Sequence, residues 1–76
     1  MNDATMAMAQ PSPEVQRAII QQEIAMYQNT RFQTEMRHRV SKKIGGTPEE
    51  LKPLVDQLAK IEAALDVLQA ELAALV

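Results

Sequence analysis

The residues best suited to chemistry are a run of cations near the middle of the chain. Arg37, Arg39, Lys42 and Lys43 fall close together, with Glu35 as the only nearby acidic residue. Such a cluster is typical of a surface that contacts phosphate groups, above all those of a nucleic acid. Cations are equally favoured at the C-terminal end of a helix by the helix dipole. The cluster is therefore either a phosphate-contacting patch or a set of helix-end charges that pair within the chain, with Glu49, Glu50 and Asp56 as partners.

Catalytic and metal-binding chemistry have little support in the sequence. His38 and Ser41 are three residues apart and would meet on a helix, but neither an acidic orienting residue nor an oxyanion donor is indicated. The chain has no Cys and one His, which leaves too few soft ligands for zinc. The segment 45–47 lacks the preceding strand and the glycine spacing of a phosphate loop. We therefore expect no catalytic residue, no metal and no cofactor.

Composition points to one small helical domain. The chain has 76 residues, of which 46% are hydrophobic and mostly Ala, Leu, Ile, Val and Met, and its aromatic residues are one Tyr and one Phe. Strand-forming residues are scarce, so we predict an all-α fold. The first ten residues lack the basic and apolar segments of a secretory signal, and no stretch has the length of a membrane span. We expect a cytoplasmic protein with no membrane partner.

Cap signals divide the chain into a tail and two helices. Residues 1–12 are small, polar or helix-breaking, and we interpret them as a flexible tail. Helix signals begin after Ser12 and end at Gly45, which predicts a helix over 13–44. A turn at 45–47 leads into Thr47-Pro48-Glu49-Glu50, a capping box that starts a second helix over 48–75. Pro53 is expected to kink that helix without ending it. Two helices of similar length with a short turn predict an antiparallel hairpin.

The second helix carries an unbroken heptad pattern of large apolar residues. Its members alternate in spacing between three and four residues, as in a coiled coil. They are Leu51, Leu54, Leu58, Ile61, Leu65, Leu68, Leu72 and Leu75. Such a stripe indicates burial against a partner helix rather than any chemistry.

The first helix has two apolar stripes. The residues predicted to form the hairpin's inner face are Val15, Ile19, Met26, Met36, Val40 and Ile44, with Ala25 and Phe32 at the edge. Ile20, Ile24 and Tyr27 form a separate stripe and call for a second partner. Three polar residues, Gln22, Asn29 and Gln33, fall at expected seam positions. Either they lie in the seam and set register or oligomer state, or a modest shift of the helix face turns them to solvent.

Two helices form a single layer, which leaves one face uncovered, and small domains without disulfides or metals usually gain stability by association. We therefore predict a homodimer that forms a four-helix bundle, or a higher oligomer. The predicted oligomer interface consists of Ile20, Ile24, Tyr27, Leu65, Leu68, Leu72 and Leu75. On this hypothesis Ile24→Asp dissociates the oligomer and leaves the hairpin intact.

The predicted function is protein–protein interaction, as an adaptor, an assembly factor or an inhibitor of a larger protein, of the kind that phages and plasmids encode. The partners are then the chain itself and another protein. The alternative is a regulator that binds nucleic acid with Arg37, Arg39, Lys42 and Lys43. The hairpin plan is similar to that of small plasmid regulators that dimerise into four-helix bundles and bind RNA, and to that of coiled-coil chaperones and virion assembly factors. No sequence motif is shared with either group, so no residue role follows from this similarity.

Overall fold

The computed structural model describes residues 10–75, which form two long α-helices packed against each other. Helix α1 spans Pro13–Lys43 and helix α2 spans Pro48–Ala73. The predicted ends, at residues 44 and 75, lie one and two residues beyond the observed ones. The first nine residues of the predicted tail and Val76 lie outside the described residues. The all-α hairpin predicted from the sequence is confirmed within residues 10–75.

Local capping explains where α1 begins. The Ser12 side chain accepts a hydrogen bond of 3.3 Å from the backbone N–H of Val15, and Pro13 occupies the first turn, where its missing N–H is not needed. Glu14 adds a negative charge at the positive end of the helix dipole. The first turn is thus specified by three consecutive residues.

The end of α1 is a turn that depends on glycine. Gly45 has φ of 92°, which side chains larger than hydrogen disfavour, and its N–H donates to the Lys42 carbonyl at 3.3 Å. The Gly46 N–H donates to the Ser41 carbonyl at 2.8 Å. Together these two bonds form a Schellman motif, which satisfies carbonyl groups left free at the end of the helix. The left-handed cap predicted at Gly45 is confirmed.

The start of α2 contains the predicted capping box. The Glu50 N–H donates to Thr47 Oγ1 at 3.2 Å, and the Thr47 N–H donates to Glu50 Oε1 at 2.8 Å. Pro53 lies inside α2, and the helix continues through it to Ala73. The turn and both caps therefore fold back the chain within four residues of the end of α1.

The core between the helices is small. Among the described residues, the buried apolar side chains are Ile61 and Leu65, with 4% and 3% of their surface exposed, and the buried polar side chain is Thr34, at 2%. The other members of the α2 heptad stripe are half-buried: Leu51, Leu54, Leu58, Leu68, Leu72 and Leu75. An ion pair of 2.9 Å between Arg31 and Glu62 joins the two helices near their centre.

The face of α1 that packs on α2 is not the predicted one. Val15, Ile19, Met26, Met36, Val40 and Ile44, together with Phe32, are all exposed. The α1 side chains that are buried or half-buried along the contact with α2 include Ile20, Ile24, Tyr27, Arg31, Thr34, His38 and Ser41. These residues also alternate in spacing between three and four, so they form a heptad seam of their own, which we call the inner seam.

A physical reason for this difference lies in the polar members of the inner seam. The Thr34 hydroxyl donates to the Thr30 carbonyl at 2.8 Å, so its burial leaves no donor unsatisfied. Arg31 reaches Glu62 from the edge of the contact. The two stripes of α1 lie about 130° apart at 100° per residue, so α2 can cover only one of them. The apolar residues of α1, taken alone, predict that the more apolar stripe packs on α2, but that stripe is the one that α2 leaves exposed.

Candidate interaction surfaces

An exposed heptad seam runs along the side of α1 that faces away from α2. We call it the outer seam. Its members alternate in spacing between four and three residues along the whole helix: Val15, Ile19, Gln22, Met26, Asn29, Gln33, Met36 and Val40. All of them are exposed. Ile44 extends the apolar stripe just beyond the end of the helix.

The exposure of the outer seam is large for apolar side chains. Met36 is the least exposed of its apolar members at 44%, and Ile44 at its end reaches 78%. Single exposed apolar residues are ordinary, but several on one helix face are typical of a surface used in association. Here Gln22, Asn29 and Gln33 interrupt the apolar residues of the seam. The alternating spacing is the one that packs against another helix. The outer seam therefore has the spacing and the exposure of a helix-packing surface.

The predicted oligomer interface has a different location from the outer seam. Leu65 is buried, and Ile20, Ile24 and Tyr27 are half-buried along the contact between α1 and α2. Leu68, Leu72 and Leu75 are half-buried as well. Contact of these residues with a second chain stays a prediction. Because Ile24 belongs to the inner seam, Ile24→Asp is expected to weaken the hairpin itself, which differs from the selective effect inferred from the sequence.

A shallow groove lies beside the outer seam. Glu23, Met26, Tyr27 and Thr30 line it, and its volume is about 120 Å³. Glu23 supplies a carboxylate at the rim, and Tyr27 supplies an aromatic ring. A guanidinium group suits such a lining, because it can pair with the carboxylate while it stacks on the ring.

The basic cluster is exposed to solvent. Arg37, Arg39, Lys42 and Lys43 are all exposed, and none forms an ion pair within residues 10–75. At 100° per residue they spread around more than half of the helix circumference, so they surround the end of α1 rather than form one flat patch.

The intrachain pairing expected for this cluster is absent from the described residues. Asp56 instead pairs with Lys52 at 2.9 Å, and Glu50 accepts a hydrogen bond from the backbone of Thr47. The pairing expected with Glu50 and Asp56 does not form, because each of these carboxylates has a closer partner on its own helix, one turn away or less. The helix-end placement, the other part of that alternative, is seen at Lys42 and Lys43, which lie in the last turn of α1.

The residues considered for catalysis or anion binding do not form a site. His38 and Ser41 are both half-buried, and no hydrogen bond joins them in the part of the chain that the structure describes. The N–H groups of Gly45 and Gly46 donate to carbonyls at the end of α1. They are therefore not free to bind an anion.

The described residues hold neither a cluster suited to a metal ion nor a helix suited to cross a membrane. Within residues 10–75 no three His, Cys, Asp or Glu side chains are grouped so as to hold a metal ion. Neither of the two described helices combines the length and the apolar character needed to cross a bilayer. The exposed features of α1 that could contact a partner include the outer seam, the adjoining groove and the basic cluster.

Comparison with known proteins adds no assignment. The chain matches no protein-family model, and no curated protein and no solved structure is significantly similar to it.

Proposed function

We propose that this protein is a small self-associating interaction module, a helical hairpin that acts by protein–protein contact as an adaptor, an assembly factor or an inhibitor of a larger protein. The observation that carries the proposal is the exposed outer seam of α1. Its spacing is that of a helix-packing surface, and it extends over the whole length of α1. The proposed self-association uses the outer seam, in place of the interface predicted from the sequence.

The small core supports the same conclusion. Only Ile61 and Leu65 are buried apolar residues within residues 10–75, whereas more large apolar side chains than that are exposed on α1 alone. A single core in a domain of this size supplies on the order of 3–5 kcal/mol, and small proteins add disulfides, metals or association. The chain has no Cys, so a disulfide is not available to it. Burial of the outer seam against another helix supplies the missing stability.

The test is the solution mass of the full chain, measured by light scattering after size exclusion. We expect the wild-type chain to be a dimer or a larger oligomer. Met26→Lys places a charge in the outer seam and should dissociate it to monomers. The matched control is Gln28→Lys, at an exposed position of α1 outside both seams, which should keep the wild-type mass. Circular dichroism on each variant checks that the helices persist.

A monomeric wild-type chain throughout the micromolar range contradicts the self-association. An unchanged mass for Met26→Lys with normal helix content removes the outer seam as its location. A mass reduced equally by Met26→Lys and Gln28→Lys also counts against the seam, because then added charge alone would explain the effect.

A regulator that binds nucleic acid is the second candidate function. The observation in its favour is that all four cations of the basic cluster are exposed and lie outside the ion pairs of the described region. Association would bring two clusters into one assembly, and affinity for phosphates would then fall steeply with salt. Repeating the mass measurement with duplex DNA and with RNA decides this point. A salt-sensitive gain in mass that is lost in Arg39→Gln/Lys42→Gln supports this candidate, and no gain at low salt contradicts it.

A further inference from the structure

We propose that the occupant of the outer seam is the outer seam of a second copy, with the two α1 helices antiparallel and Glu23 of each copy paired with Arg37 of the other. This inference rests on the proposed self-association and specifies its geometry. Three features support it: the charge distribution of the hairpin, the match between two antiparallel copies of the outer seam, and the groove beside the seam.

Charge is distributed unevenly between the two ends of the hairpin. The open half, residues 13–28 and 61–73, has five acidic residues and one basic residue. The turn half, residues 29–60, has seven basic and four acidic residues. Two copies side by side in the same direction place like charges together, whereas reversal of one copy places each acidic half beside a basic half. Electrostatics therefore selects the antiparallel arrangement.

The outer seam matches itself when one copy is reversed. Antiparallel helices place the two kinds of seam position opposite each other, and one such register sets Ile19 level with Met36 of the second copy. In that register Val15 faces Val40, Gln22 faces Gln33 and Met26 faces Asn29. Three of the four kinds of layer therefore pair residues of like polarity, and the central layer pairs a thioether with an amide. Each contact occurs twice, as a two-fold interface requires.

The flanks of the seam agree with this register. Glu23 and Arg37 occupy the same flanking heptad position, and flanking positions of this kind pair with each other across antiparallel helices. Both are exposed, and neither forms an ion pair within the described residues. On the opposite flank Phe32, which is 59% exposed, faces the small Ala25 of the second copy. A large side chain thus packs over a small one, as close packing favours.

The groove gives Arg37 a specific place to bind. Glu23, Met26, Tyr27 and Thr30 line it along the flank on which Arg37 of the second copy would lie. The Arg37 guanidinium can pair with the Glu23 carboxylate and stack on the Tyr27 ring, while its aliphatic stem covers Met26. This contact distinguishes Arg37 from the other cations at the end of α1.

Cross-linking tests the direction and the register. The chain has no Cys, so an introduced thiol is unique. Under mild oxidation in a glutathione buffer, Ile19→Cys and Met36→Cys alone should remain unlinked, whereas a mixture of the two single variants should form a covalent heterodimer. Gln28→Cys mixed with either variant should stay unlinked, because Gln28 lies outside both seams.

Charge exchange tests the ion pair independently of oxidation. Glu23→Arg or Arg37→Glu alone should raise the dimer dissociation constant about tenfold, since each dimer contains the pair twice. The double variant Glu23→Arg/Arg37→Glu should recover an affinity within about threefold of the wild type. Glu14→Arg serves as the control for a change of net charge, and it should have a smaller effect than Glu23→Arg.

The outcomes separate this inference from the proposed function. A wild-type chain that is monomeric overturns both. A stable dimer in which Ile19→Cys chains link to one another overturns the antiparallel direction and leaves the self-association standing. A dimer with the expected cross-links but without recovery in the double charge variant overturns the pairing of Glu23 with Arg37.

Discussion

Thr34 shows how one polar side chain is accommodated between the helices. It is the most deeply buried polar residue in the described region, at 2% exposure, and its hydroxyl donates to the Thr30 carbonyl one turn earlier. That carbonyl already belongs to the helical hydrogen-bond pattern, so the hydroxyl makes a second bond to a satisfied acceptor. Such bonds stabilise a helix little and tend to bend it.

Replacement of the hydroxyl by a methyl should therefore be tolerated. Thr34→Val keeps the branched shape and leaves no buried acceptor unpaired, so we expect the free energy of unfolding to rise by about 0.5 kcal/mol. Thr30→Val is the control, because Thr30 makes the same kind of bond, to Met26 at 3.0 Å, but is only half-buried. Urea denaturation at one fixed protein concentration measures both. A loss of about 1 kcal/mol or more for Thr34→Val would mean that the hydroxyl holds the seam in place.

At the level of the elements, the turn between α1 and α2 depends on both glycines for different reasons. Gly45 needs its positive φ, whereas a Cβ atom on Gly46 would lie 2.5 Å from Ser41 Oγ and 2.9 Å from the Ser41 carbonyl oxygen. A serine side chain can rotate away, but the carbonyl belongs to the helix. The turn must therefore open to accept a side chain at residue 46.

Gly45→Ala should cost about 1 kcal/mol, the penalty for a left-handed conformation, and Gly45→Asn should cost less. Gly46→Ala should cost more than Gly45→Ala, because opening the turn also loses the Gly46 bond to Ser41. Ser41→Ala should relieve only part of that cost. Thermal and urea unfolding measure the series. Equal stability of Gly46→Ala and the wild type would be inconsistent with the tight turn.

The elements also show what the sequence could and could not predict. Ser12, Thr47, Glu50 and Gly45 act within one turn of themselves, so the caps and the hairpin followed from short-range spacing. The face of α1 did not follow. Ile19 and Ile20 are neighbours that belong to different stripes, and the choice between them depends on packing against α2, which hydrophobicity along α1 does not contain.

The outer seam could not be located from the sequence for the same reason, because its exposure depends on which face of α1 packs on α2. Gln22, Asn29 and Gln33 occupy seam positions of α1, but that seam is exposed and does not pack on α2. A second signal was available in the polar residues of the inner seam, Thr34, His38 and Ser41, which continue the spacing of Ile24. A stripe with hydroxyl groups is less apolar, yet small side chains allow close approach of the leucines on α2.

At the scale of the whole molecule, folding and association should be coupled. The hairpin alone buries few apolar side chains, so much of its stability is expected to come from the second copy. A tenfold increase in protein concentration should raise Tm by about 5 °C, from mass action and the unfolding entropy of a dimer of this size. Met26→Lys should have a lower Tm that does not change with concentration. A wild-type Tm independent of concentration would mean that the hairpin is stable by itself.

The short turn at Gly45 and Gly46 also sets the order of events when the chain folds. Contacts between α1 and α2 begin next to the turn and extend outward, so hairpin closure needs no long loop and should finish within microseconds to milliseconds. Encounter with a second chain depends on concentration and is slower at cellular levels. A newly made chain would thus spend most of its time before assembly as a closed hairpin with its outer seam uncovered. On the proposed self-association, a different helix with an apolar face would compete with the second copy for the outer seam during that interval.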